Sequence, residues 1–331
     1  MVGGATLNYR ELHNDSLVVD THCDTMLKVI RSRGAYRLRD AHEEGHVDIP
    51  RLLKGGVNLQ FFAVYIEPQF KPDHALKRTL QLSDCFYNEL AENKDEMSLI
   101  LSSADLESAR RENKIGALLS IEGGEALEGD LGVLRMLHKL GVRAIGLTWN
   151  ERNQIAEGVG ECRSGGGLTD FGVSAIKEMN RLGIIVDVSH LSEPGFWDVI
   201  KVTDKPIIAS HSNAKAICNH VRNLSDDQIK ALAKNGGVMG LNMCHEFLSS
   251  DRPVVIEHVM DHIEHVFSLV GSKHIGIGAD LDGITTPPVG FEDVSKLPAL
   301  TEAMLRRGLT ADQVRDVLGQ NYLRVIKNVM G

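Results

Sequence analysis

The sequence predicts a (β/α)8 TIM barrel, and three observations lead there. Short apolar, β-branched runs alternate with helical stretches along the chain, the pattern of a parallel sheet covered by helices. The runs number eight, which is the count that closes a barrel. No Gly-x-Gly-x-x-Gly follows the first run, so the signature of an open dinucleotide-binding sheet is missing.

The predicted strands come in order as LVVDTHCD (17–24), GVNLQFFAVYI (56–66), KIGALLSIEG (114–123) and VRAIGLTWN (142–150). They continue as GIIVDVSH (183–190), KPIIASHS (205–212), GGVMGLNMC (236–244) and HIGIGADLDG (274–283). Helical patterns lie between them, among them DHALKRTLQLSDCFYNELAENK, DLGVLRMLHKLG, FGVSAIKEMNRLG and LSDDQIKALAKNGG. Ser225 stands three before Gln228, and Thr310 three before Gln313, so two helices open with capping boxes. Several end in glycine, as helix C-termini prefer. No repeat, low-complexity tract or Pro/Ser-rich linker divides the chain, and 1–331 reads as a single barrel domain.

Composition removes several function classes. The 331 residues carry 36 basic and 45 acidic side chains, a net charge of −9, which argues against an electrostatic nucleic-acid binder. With 43% hydrophobic and 24% charged residues the chain is an ordinary globular protein, not a disordered one. No apolar run reaches the ~18 residues of a membrane span, and the first fifteen residues have no apolar leader core. Cys23, Cys85, Cys162, Cys218 and Cys244 are scattered without Cys-x-x-Cys spacing. They read as core packing in a reducing compartment, and the expected location is cytoplasmic.

Chemistry gathers at the ends of the runs, where a barrel keeps its functional side chains. In the first run, His22 and Asp24 are two apart and share a face, with Cys23 opposite. Glu122 ends the third run, His190 the fifth and His211 the sixth; Asp280 and Asp282 end the eighth. Imidazoles and carboxylates together suit a transition metal such as zinc. The set exceeds the three protein ligands that one catalytic zinc normally needs, and a two-metal site with a bridging carboxylate accommodates it.

VVDTHCDT, SIEGGEAL, VDVSHLSE, ASHSNA, HVRNLSDD and GIGADLDGI, in this order over roughly 17–330, resemble the membrane (renal) dipeptidases, zinc peptidases of the amidohydrolase-like barrels. The resemblance implies two zinc ions per chain, His22 and Asp24 on one, His190 and His211 on the other, with Glu122 bridging. It implies hydrolysis of dipeptides by a metal-bridging hydroxide, with tolerance of a D-residue in the second position. Arg222 would grip the substrate's terminal carboxylate, and Asp280 would handle protons. The family also suggests a homodimer, and the small dipeptide is the expected partner. The vertebrate enzymes end their fourth strand in Leu-Thr-His; here Leu147-Thr148 is followed by Trp149 and Asn150, which become the expected substrate-facing residues at that place. Two rivals stand beside this reading: a related barrel amidohydrolase acting on N-acyl amino acids or lactams, and a non-catalytic metal-binding barrel.

Other polar residues have plainer readings. From the residues alone Arg222 fits a surface ion pair as well as a carboxylate binder. His258, His262 and His265 share one helical face among acidic residues and read as a solvated or packing face. His42, His46, His74 and His138 read as surface, and His220 as a loop residue. Gly165-Gly166-Gly167 lacks the Lys-Ser/Thr of a phosphate loop and reads as a βα-loop. Asp187 and Asp282 either orient ligands or cap structure.

Overall fold

A computed structural model describes residues 8–161 and 163–331, so Cys162 lies outside the described residues. Among the described residues nine parallel strands form the sheet: β1 (Val19–Cys23), β2 (Leu59–Tyr65), β3 (Met97–Leu99), β4 (Ile115–Glu122), β5 (Val142–Gly146), β6 (Ile185–Asp187), β7 (Ile208–Ser212), β8 (Val238–Leu241) and β9 (Ile275–Ile277). Pairing runs β1–β2–β4–β5–β6–β7–β8–β9 and returns to β1, which closes an eight-stranded barrel. All eight predicted runs are its strands. The ninth, β3, pairs with Ile115–Ala117 of β4, below the place where β5 takes over that edge at Leu119.

Alternation sorts the strand residues. On β2, Leu59 and Phe61 turn inward and Phe62 and Val64 turn to the helices. The inner layer at the N-terminal end of the barrel is apolar: Leu59, Phe61, Leu118, Ile185, Ile208 and Val238. The C-terminal helix Asn321–Val329 adds Tyr322, Val325 and Ile326 to that layer and shuts this end. Gly240 and Gly276 admit it, since a Cβ on either would lie 2.5 or 2.3 Å from the Tyr322 ring or hydroxyl. Polar residues are thereby left to the other end.

The four quoted helical patterns form helices Ala75–Glu92, Leu131–Lys139, Asp170–Leu182 and Asp226–Lys234. Both capping boxes are made. The strands are shorter than their runs, and at β5 this matters for the site: it stops at Gly146, where its ladder to β6 ends opposite Asp187, and 147–150 turn away. Among the described residues no helix is long and apolar enough to cross a membrane.

Candidate active site

The polar end of the barrel brings six predicted residues to one point. β1 sets the His22 Nε2 3.4 Å from Asp24 Oδ2. Glu122, the last residue of β4, lies between the two halves of the cluster. Its Oε2 is 3.4 Å from His22 Nε2, and its Oε1 is 3.0 Å from His190 Nε2 and 3.6 Å from His211 Nε2. Asp280 Oδ1 stands 3.8 Å from His22 Nε2. His190, Asp280 and Asp282 reach in from left-handed backbone, at φ of 66°, 60° and 65°. Such strain in residues with side chains typically marks functional sites. Gly283 is packed so closely that a Cβ would fall 2.1 Å from Asp24 Oδ2 and 2.5 Å from Asp280 Oδ1. Only glycine leaves those carboxylates room.

Outward hydrogen bonds decide where the imidazole protons sit. Asn150 Oδ1 can only accept, so His190 Nδ1 donates to it at 2.8 Å and Nε2 is left as a lone pair. Ser210 donates its hydroxyl hydrogen to Asp187, so its Oγ accepts from His211 Nδ1 at 2.7 Å. The His211 Nε2 is then a lone pair too, 2.9 Å from that of His190. Two lone pairs and a carboxylate oxygen thus converge. They repel one another unless a cation joins them.

Electrostatics agrees. Burial opposes charge on each of these groups. Against burial, Glu122 and Asp24 hold the His22 imidazole well above its usual range. Glu122 is also buried, yet the positive charge of His22 beside it keeps it ionised well below the carboxylate range. Burial, with Arg222 nearby, pushes His190 down to about 3. Burial and the His22 charge likewise lower His211. Burial raises Asp280 to about 7, with Asp24 and Glu122 adding to it against His22. Asp24 rises to about 6 by burial and the Glu122 charge.

A metal fits this set. His22 Nε2 and Asp24 Oδ1 are buried without a hydrogen-bond partner among the described residues. His22, Glu122 and His211 each offer an atom within 4.8 Å of the others, and so do His22, Asp24 and Asp280. These residues could hold metal at neutral pH: His190 and His211 present neutral imidazoles, Glu122 and Asp24 present carboxylates, and a cation bound there would displace the proton that those carboxylates hold on His22.

Asp24, Glu122, His190 and Asp280 of the cluster open onto a cavity of about 680 Å³. Arg222 lies in its wall at 5% exposure; one guanidinium nitrogen donates to the His211 carbonyl at 3.1 Å, and its Nε has no partner among the described residues. Trp149 and Asn150 both line the cavity, which strand alternation forbids but the turn after Gly146 allows. Trp149 stands 5.3 Å from the Tyr65 ring and 5.8 Å from the His190 ring, between centroids.

Sequence reasoning passed over some participants. Ser210 was invisible because alternation puts it on the face opposite His211. Asn242, which donates to Asp280 Oδ2 at 2.8 Å, did carry a signal: it is a polar residue just past a buried strand. His46 is not a surface residue, since its Nδ1 accepts the Asp282 N–H at 3.0 Å. Asp282 also accepts from Thr25 at 2.7 Å and ties its loop to the start of the helix Thr25–Arg31. The helical histidines pack as expected: His262 is buried, accepts the Ala214 N–H and bonds the Leu248 carbonyl. Gly166 donates to Glu157 within the loop after β5. Of the described cysteines, Cys23 is buried, while Cys244 is half-buried and lines the cavity.

Comparison with known proteins places this geometry. Residues 7–330 match the profile of the membrane dipeptidases, peptidase family M19. The solved dipeptidase AC, a metallopeptidase of family M19, is 30% identical, with a TM-score of 0.89 over 96% of this chain and 99% of its own. A metallopeptidase from Rhodobacter sphaeroides, solved with a phosphinate mimic of the dipeptide L-Ala-D-Ala, is 28% identical at TM-score 0.88, covering 95% and 100%. An amidohydrolase from Pseudomonas aeruginosa is 28% identical at TM-score 0.85, covering 98% and 100%.

Proposed function

The chain belongs to the membrane dipeptidases, peptidase family M19, and on that premise we propose that it is a dinuclear zinc dipeptidase acting on free dipeptides. One observation carries the substrate class: a buried guanidinium with an unpartnered Nε shares a cavity with the convergent ligand cluster. A substrate bound there needs a carboxylate within one residue of the bond that is cut.

In this reading His22 and Asp24 would hold one zinc and His190 and His211 the other, with Glu122 a ligand available to both. When bound, the two ions supply an activated water at neutral pH and polarise the scissile carbonyl. Arg222 pairs with the C-terminal carboxylate; its planar fork suits that group better than an ammonium would. Asp280, raised to about 7 by burial, is poised to take a proton at Oδ1 and return it to the departing nitrogen. Asn242 fixes the other oxygen of that carboxyl. Trp149 shapes the wall beside His190 and excludes water there. Acceptance of a D-residue in the second position is part of the proposal, and the relative bound to an L-Ala-D-Ala mimic supports it.

The test is a panel of free dipeptides, their C-terminal amides and N-acetyl amino acids, assayed with added zinc. Free dipeptides should be the better substrates. Arg222→Met should lower kcat/KM on them by about 10- to 150-fold, the worth of a hydrogen bond to a charged group. Amides should lose much less. Equal losses on both would show that Arg222 does not bind the carboxylate, and faster turnover of N-acetyl amino acids would favour the amidohydrolase reading.

A further inference from the structure

We infer that the cavity selects dipeptides whose first residue carries an acidic side chain, with Arg31 as the selecting group; this rests on the dipeptidase reading above. Arg222 follows β7, so a dipeptide anchored there and cut at the ligand cluster extends its first residue towards the elements after β1 and β2. The wall on that side is made by Leu27 and Arg31, one turn apart on the helix after β1, with Tyr65 at the end of β2 and Ile284 beyond β9.

Arg31 is the cation of that wall, and its charge is in excess. Its Nη2 donates to Glu67 Oε1 at 3.0 Å. Glu67 is already matched by Arg78, which grips both of its oxygens at 2.7 and 2.8 Å in a buried bidentate pair. Two guanidinium groups therefore share one carboxylate. The bidentate pair fixes Glu67, and Glu67 fixes one edge of Arg31. Among the described residues Arg31 pairs with no carboxylate but Glu67, its Nε and Nη1 make no hydrogen bond, and its side chain is 59% exposed. A pre-positioned cation with free donors, at the place where the first side chain projects, rewards a carboxylate there and penalises an ammonium.

Because Arg31 is partly solvated, the preference is modest and sensitive to salt. The experiment compares kcat/KM for Glu-Ala, Gln-Ala and Lys-Ala on the zinc-loaded protein at low ionic strength. Glu-Ala should exceed Gln-Ala by about 2- to 5-fold, the factor of a partly exposed ion pair, with Lys-Ala slowest. The Glu-Ala to Lys-Ala ratio should collapse towards one in Arg31→Met and invert in Arg31→Glu. A wild-type order led by Lys-Ala or Gln-Ala, or a ratio unmoved by both substitutions, would overturn the inference while leaving the dipeptidase reading intact. Failure to cleave any of the three, or the free dipeptides of the wider panel, would overturn that reading and this inference with it.

Discussion

Trp149 stands beside the cluster with a single N–H to offer and no acceptor. As a carbonyl becomes tetrahedral its oxygen gains charge, and removing a donor aimed at it typically costs about 10²–10³-fold in kcat. The ring is held among Tyr65, His190 and the Lys71 ammonium, 5.3 Å from its centroid, as a wall would be. Trp149→Phe, which keeps most of that wall, should therefore change kcat by less than about 3-fold, well short of the loss of an oxyanion donor. Loss of about 100-fold, with metal content unchanged, would make the indole N–H the donor. At this scale the sequence was legible wherever chemistry stands at the C-terminal end of a buried apolar run. His22, Asp24, Glu122, His190, His211 and Asp280 could all be named that way, and the structure assembles them. Asn150 could be named but not placed. Its bond to His190 depends on a turn that no strand periodicity describes.

Adjacent strands are tied to each other through side chains at the site. Asp187, at the end of β6, accepts the Ser210 N–H from β7 at 2.8 Å and the Ser210 hydroxyl, and the Ser210 Oγ accepts from His211. Ser189 Oγ accepts the His211 N–H at 3.0 Å. The relay fixes the His211 ring and its tautomer, which is what keeps Nε2 free to bind. Ser210→Ala should leave the barrel folded and weaken metal binding by about 10- to 100-fold, measured by competition with a chelator. Unchanged affinity would mean that packing alone holds the ring. Elements were the most legible scale, because buried parallel strands read as continuous apolar runs. The exception is β3: Met-Ser-Leu is too short for a period and earns its place only by pairing with β4. The end of β5 was overrun because Leu147 and Trp149 continue an apolar pattern after the ladder has stopped.

The molecule as a whole separates two tasks along the barrel axis. Its N-terminal end is filled by apolar side chains and shut by the C-terminal helix, which holds the fold; its C-terminal end collects charges that burial alone would not tolerate. Barrel closure and this polarity follow from strand count and strand tips, so both were legible. The left-handed turns at His190, Asp280 and Asp282, and the contact of Gly283 with two carboxylates, arise only when the strands are assembled. The proposed two-metal site turns on Glu122, whose Oε1 faces His190 and His211 while Oε2 faces His22. Elemental analysis of the active protein beside Glu122→Gln tests it directly. Two zinc ions per chain are expected in the wild type, with both weakened together in the variant. One tightly held ion in fully active protein, or loss of a single ion in the variant with the other undisturbed, would contradict it.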